Sequence, residues 1–269
     1  MIFYKTSSFG NDFIEIDEND LPARRMDRCL LSREICDGHR AVGADGVVFY
    51  RPGRVCSFQV HNRDGGKAEL SGNGMAGLAA VLFQRRLAPA ALILKAPIGR
   101  RRVELLARRG PIFQLKVEIG HPDFFNRGFF PFLSEKRDSY PLDGLEFYPV
   151  SVGNPHAVVL GCKTASPKQL AAWGKKLEGH PMFPGRVNVE FVDFSTAGRC
   201  RVFFYERGVG QTQSSSTGSA AVFAVLRRLG LVGDRLDIDC GAEKIAISWN
   251  RGIFIHNVTR LVCRGDYFV

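Results

Sequence analysis

Glu69–Met75 reads ELSGNGM and Ser214–Ser219 reads SSSTGS, and each runs into an apolar stretch with arginines near its end, AAVLFQRRL at 79–87 and FAVLRRLGL at 223–231. The likeness extends outward. Phe3-Tyr4 returns as Phe147-Tyr148, Gly10-Asn11 as Gly153-Asn154, Val47-Val48-Phe49 as Val189-Glu190-Phe191, and Asn62 falls opposite Glu206, all at an offset of 142 to 144 residues. Landmarks that recur in one order at one offset identify a duplicated unit. The chain is therefore expected to form two homologous domains related by a pseudo-twofold axis.

Within each repeat, segments such as FYPVSV, HAVVLG, VNVEFVDF and RVFFYE are β-branched or aromatic and bounded by Gly, Asn or Pro, the pattern of strands. Residues 20–36 and 166–178 read as helices, the second opened by Ser166 as cap and Pro167 at the first helical position. Residues 74–87 and 218–231 are apolar nearly all round, which puts each helix in the middle of its domain. The expected class is α/β (α+β), with mostly antiparallel strands wrapped around a central helix in each domain. The boundary is expected after the basic segment GRRRVELLARRG, giving domains of 1–111 and 112–260, with 261–269 returning as a strand to the first.

Composition narrows the classes. The 269 residues are 45% hydrophobic and 24% charged, as in a globular protein with a sizeable core. No apolar run reaches membrane-spanning length and the N-terminus lacks the pattern of a signal peptide, so a cytoplasmic location without membrane attachment is expected. Seven cysteines without CxxC or CxxH spacing suggest neither zinc nor a disulfide framework. The net charge of +10 comes from patches such as Arg100-Arg101-Arg102 and reads as a basic solvated surface, with no nucleic acid expected. A homodimer is the oligomer that base rates favour.

The chemistry centres on the two repeated motifs. Each sets hydroxyl and small residues just before an apolar helix, where unpaired backbone N–H groups and the positive dipole end favour a carboxylate or phosphate. Ser, Asn and Thr are also the ordinary N-capping residues. Two copies at symmetric positions, each after a polar turn (NRDGGK, ERGVGQ), favour a ligand site shared by the domains.

The segments FGNDF (9–13), GADGVVF (43–49), NRDGGKAELSGNGM (62–75), VGNPHAVV (152–159), VNVEF (187–191) and ERGVGQT (206–212) together resemble the diaminopimelate epimerase family, in its order and over nearly the whole chain. The resemblance implies an isomerase that interconverts LL- and meso-diaminopimelate, for lysine and peptidoglycan precursor synthesis, in a cleft between its two domains. It implies no cofactor, neither pyridoxal phosphate nor metal. In the family, two cysteines act on opposite faces of the α-carbon, one taking the proton and the other delivering one. Those positions are Ser71 and Ser215 here. A thiol ionises near pH 8.5, and lower still at a helix N-terminus, whereas a serine hydroxyl is a far weaker acid. The Ser/Ser form is expected to be weak or inactive.

The resemblance further implies that His156 and Glu206 assist proton movement. Asn11, Asn62, Asn154, Asn188, Glu206 and Arg207 would hold a diamino dicarboxylate substrate, Arg207 by bidentate capture of the distal carboxylate. Backbone amides of Gly72, Asn73, Ser216 and Thr217 would grip the carboxylate of the reacting centre. Two departures bear on the substrate: Ala76 stands where many members carry arginine, and Ser216 where glycine is common. The serines fit a paralogue that racemises another amino acid or only binds one. They also fit a cysteine-to-serine replacement that keeps the binding site and removes the acid–base pair. A serine hydrolase is disfavoured, since neither serine lies in GxSxG.

Overall fold

The computed structural model describes residues 1–22, 26–133, 137–196, 199–240 and 244–268. It divides into two compact units, Met1–Glu118 with His256–Val269, and Ile119–Ile255.

In unit 1, β1 (Ile2–Ser8) and β2 (Asn11–Asp17) form a hairpin. Its two-residue turn has Phe9 at φ 50° and Gly10 at φ 80°, a type I′ geometry whose twist suits paired strands. After α1 (Arg28–Ile35), β3 (Gly46–Arg51) lies parallel to β2. Then β4 (Cys56–Asn62) runs antiparallel to β3, and the short β5 (Lys67–Ala68) antiparallel to β4. The helix α2 (Gly72–Gln84) has every residue but Gln84 buried. The strand β6 (Ala91–Ala96) is parallel to β4, and β7 (Gly99–Arg109) and β8 (Ile112–Gly120) continue as an antiparallel meander.

Unit 2 repeats the plan. Here β9 (Tyr140–Leu142), β10 (Leu145–Ser151) and β11 (Pro155–Leu160) are antiparallel, α3 (Pro167–Glu178) follows, and β12 (Asn188–Thr196) lies parallel to β11. Next come β13 (Arg199–Glu206), β14 (Gly210–Thr212) and α4 (Ser216–Arg228), buried from Ser216 to Leu226. The unit continues with β15 (Arg235–Asp239), parallel to β13, and β16 (Lys244–Trp249). The register matches unit 1 to the residue: Cys56 pairs with Leu94 in β4–β6, and Cys200 with Ile238 in β13–β15. The last strand, β17 (Ile253–Asp266), pairs antiparallel with β1, from Ile2 opposite Asp266 to Ser8 opposite Thr259.

Four sequence expectations shift. Of the helix expected over 20–36, the described part is Arg28–Ile35: residues 23–25 lie outside the described residues, Leu21 before Pro22 is extended, and Asp27 caps the N–H groups of Cys29 and Leu30. Both central helices begin earlier than expected, with Ser71 and Ser215 as N-caps. The division expected at 111/112 falls after Glu118, because Gly110-Pro111 is only the turn of the β7–β8 hairpin and β8 pairs straight back on β7. The return to unit 1 begins at His256 rather than 261, since β17 is one continuous strand.

Each unit is covered on both sides of its parallel strand pair. On one side of β2–β3, Phe3, Ile14, Ile16, Val47 and Phe49 join Leu31 and Ile35 of α1 in a buried cluster. The corresponding cluster of unit 2 gathers Phe130, Phe147, Phe183, Val189 and Phe191 with Leu170 and Leu177 of α3. On the other side of β2, fully buried Glu15 accepts a hydrogen bond from Thr6 Oγ1 (2.6 Å), and among the described residues its Oε2 has no partner. Burial holds this carboxyl well above the usual carboxylate range, opposed in part by the Thr6 hydrogen bond. The folded chain therefore keeps a proton that the unfolded chain releases above about pH 4.3, and stability falls as pH rises from there through the folded value. Glu15→Gln should unfold at a higher temperature than the parent at about pH 8, the gap closing towards about pH 4. Parallel melting curves across that range would show that Glu15 ionises normally.

Candidate active site

Unit 1 carries Asn11, Asn62, Ser71, Gly72 and Asn73 of the expected set. Ser71 is the N-cap of α2, with extended backbone (φ −138°, ψ 117°), and its Oγ accepts from Gly74 N–H at 3.1 Å. Gly72 and Asn73 form the first helical turn, where backbone N–H groups lack acceptors within the helix. Asn73 Nδ2 donates to Asn11 Oδ1 (2.9 Å), and Asn73 Oδ1 accepts from Asn257 Nδ2 (3.1 Å). Thr259 Oγ1 donates in turn to Asn257 Oδ1 (2.7 Å), leaving its lone pairs for the Ser8 hydroxyl (2.7 Å). Asn11 Nδ2 points on to Asp45 Oδ2 at 3.4 Å, and burial raises the Asp45 carboxyl above its ordinary value against the hydrogen bond from Asp12 N–H. All the donors run one way along this chain, so each amide has a single orientation. Asn62 ends β4 opposite Gly46, and the following Arg63 N–H binds Asp45 O, which brings Asn62 beside the same cluster.

Unit 2 holds Asn154, His156, Asn188, Glu206, Arg207, Ser215, Ser216 and Thr217. Ser215 caps α4 as Ser71 caps α2, at φ −144° and ψ 122°, with Gly218 N–H on its Oγ at 3.2 Å. Asn154, the counterpart of Asn11, donates from Nδ2 to Thr217 Oγ1 (3.2 Å) in the first turn of α4. Its Oδ1 therefore accepts from His156 Nε2–H (2.9 Å). The opposite ring nitrogen, Nδ1, lies 2.7 Å from Glu190 Oε1, and both side chains are fully buried. With Nε2 already protonated, that contact carries one proton between imidazole and carboxyl. Asn188 sits beside His156 in the β11–β12 ladder, donates to Pro155 O (2.9 Å) and accepts Arg207 N–H (2.9 Å). Arg207 also donates to Gly185 O (3.2 Å), while Glu206 accepts from Thr212 Oγ1 (2.8 Å).

The first turn of each central helix is thus tied to an asparagine at the start of a strand, Asn11 of β2 and Asn154 just before β11. The cap serines keep the same geometry in both. Sequence reasoning missed Asn257, Thr259 and Glu190. Each is a polar residue buried inside a strand, Asn257 and Thr259 on the face that Ile253 and Ile255 begin and Glu190 between buried Val189 and Phe191, and that placement was the available signal.

Two units of this plan, each with a capped helix start facing an asparagine, make the fold of the epimerases and racemases that need no cofactor. A hydroxyproline epimerase from Agrobacterium vitis, solved with bound trans-4-hydroxy-L-proline, shares the fold over 100% of this chain and 91% of its own, at TM-score 0.70 and 17% identity. Diaminopimelate epimerases from Carboxydothermus hydrogenoformans and Pelotomaculum thermopropionicum are each 30% identical to the chain, covering 100% of both sequences in the first case and 99% in the second. The family model described as diaminopimelate epimerase matches residues 3–125 and 148–253. The chain belongs to the diaminopimelate epimerase family.

Proposed function

We propose that the chain binds LL- or meso-diaminopimelate and that, with serine at 71 and 215, it holds this diamino dicarboxylate with little or no turnover. The observation that carries the reading is the pair of hydroxyl N-caps in matching geometry, one at the start of each central helix. In the two-base reaction these are the positions of the groups that take and deliver the α-proton. A cap side chain sits where the helix dipole favours an anion, which suits a thiolate and is wasted on a hydroxyl that stays protonated.

The other groups take binding roles. Backbone amides of Gly72, Asn73, Ser216 and Thr217 receive the carboxylate at the reacting centre. Asn11, Asn62, Asn154 and Asn188 orient the amines and carboxylates. Arg207, steadied by Asn188 and Gly185, receives the distal carboxylate. His156 and Glu206 stand by the proton path. The reading places the chain in the synthesis of lysine and of peptidoglycan precursors, in the cytoplasm, with no nucleic-acid partner.

Calorimetric titration with meso-diaminopimelate, paired with NMR of the ligand in deuterated water, tests it. Saturable binding without deuterium at the α-carbon is expected. Thr217→Val should weaken binding about tenfold, because it removes a hydroxyl and leaves the buried Asn154 Nδ2 without its acceptor. No heat of binding to either stereoisomer would remove diaminopimelate as the ligand.

A further inference from the structure

Unit 1 has a cavity of about 410 Å³ at the end of α2 remote from Ser71. Its origin is a short ladder. The strands β4 and β6 pair only at Cys56–Leu94 and Ser57–Lys95, and ahead of these positions the turn after β3 and the connection after α2 stand apart. Val55, Leu82 and Leu92 wall the gap between them. Leu87 and Ile93 carry the apolar surface outward, at 49% and 42% exposure.

The charges around the gap are of one sign. Among the described residues, Arg54 and Arg102 line it and no carboxylate does. Arg102 is shared with Glu104 (2.8 Å), whereas exposed Arg54 has no carboxylate partner among the described residues. The Cys56 thiol in the wall adds no negative charge, since burial pushes its pKa up to about 12. A cavity of this volume is within the range of small-molecule sites, in which apolar walls and a few polar groups fix orientation.

We propose that this cavity binds an amphipathic monocarboxylate of the medium-chain fatty-acid type, its tail against Leu82 and Leu92 and its carboxylate at Arg54. The tail removes apolar wall from water, and the arginine supplies the charge-assisted hydrogen bonds that select an acid over an alcohol of equal length. A diamino dicarboxylate such as diaminopimelate does not suit it, because no carboxylate among the described residues lines the cavity to receive its two ammonium groups.

The test titrates the whole chain, with labelled valine and leucine methyl groups, with octanoate and separately with octanol. Octanoate should shift the methyl resonances of Val55, Leu82 and Leu92 and bind more tightly than octanol. Arg54→Ala should weaken octanoate about fivefold and leave octanol unchanged. Ala88→Phe, which fills the gap from a half-buried position, should abolish the shifts while the circular dichroism stays that of the parent. Equal affinity for acid and alcohol would overturn the proposal, as would shifts that persist in Ala88→Phe. So would sedimentation showing a ligand-free dimer that Ile93→Glu dissociates, which assigns the surface to a second copy of the chain.

Discussion

Ser71→Cys/Ser215→Cys should gain α-proton exchange into meso-diaminopimelate in deuterated water, by about a thousandfold or more over the parent, the scale of a positioned acid–base pair. The caps decide the outcome. Each serine Oγ already accepts a helix N–H, from Gly74 or Gly218, so a sulfur there meets the same donor and the same dipole end. A thiol begins near pH 8.5 and is lowered by such surroundings, which brings a thiolate and a thiol into the neutral range together. Serine offers neither a base nor an acid of useful strength, and each pK unit of mismatch costs about 1.4 kcal/mol. Either single cysteine variant should exchange slowly and without inversion, having a base for one face and no acid for the other. Exchange by the parent at the rate of the double variant would move the chemistry to other groups. A double variant that binds but stays silent would sink the assignment of the two positions.

Gly77→Ala is expected to lower stability by about 2–4 kcal/mol, read as a shift in the denaturant midpoint at constant slope. A Cβ on Gly77 would stand 2.2 Å from Glu15 Oε1 and 2.3 Å from Thr6 Oγ1, and both side chains are buried with no room to retreat. The methyl group must break the Thr6–Glu15 hydrogen bond, strand a buried carboxyl and push α2 from its seat. Thr6→Ala should cost less on its own and should recover part of the loss in the double variant, because it vacates one of the two contacts. Additive costs in that cycle would show that the damage lies elsewhere.

The duplicated plan was legible in the sequence because glycine, asparagine and serine landmarks mark turns and caps whose chemistry is local. The cap serines and the first-turn residues Asn73 and Thr217 came from the same signal. Glu15 illustrates what was not legible. In FIEID the charge alternates with isoleucine, which reads as a strand with one face in water, yet β2 is covered by α1 on one face and α2 on the other. The partner of His156 was hidden for the same reason, since a carboxylate inside VNVEF is paired only by the parallel neighbour strand. The domain boundary was misplaced because a basic hairpin turn resembles a linker when its two strands are not yet known to pair.

The buried acids carry a consequence for how the two halves diverged after duplication. In unit 1 the acid is on β2, with Val48 across the ladder; in unit 2 the valine is on β11, at Val158, and the acid lies across from it, at Glu190. The polar trio Thr6, Glu15 and Gly77 answers by position to the apolar trio Val150, Val158 and Ala221. Meanwhile Gly218, which clears Glu190, answers to Gly74, which faces Val48. Because α2 keeps a glycine at both positions, transplanting it into unit 2 leaves Glu190 its space. Transplanting α4 into unit 1 sets Ala221 against Glu15 and Thr6. By these contacts the two central helices are interchangeable in one direction only.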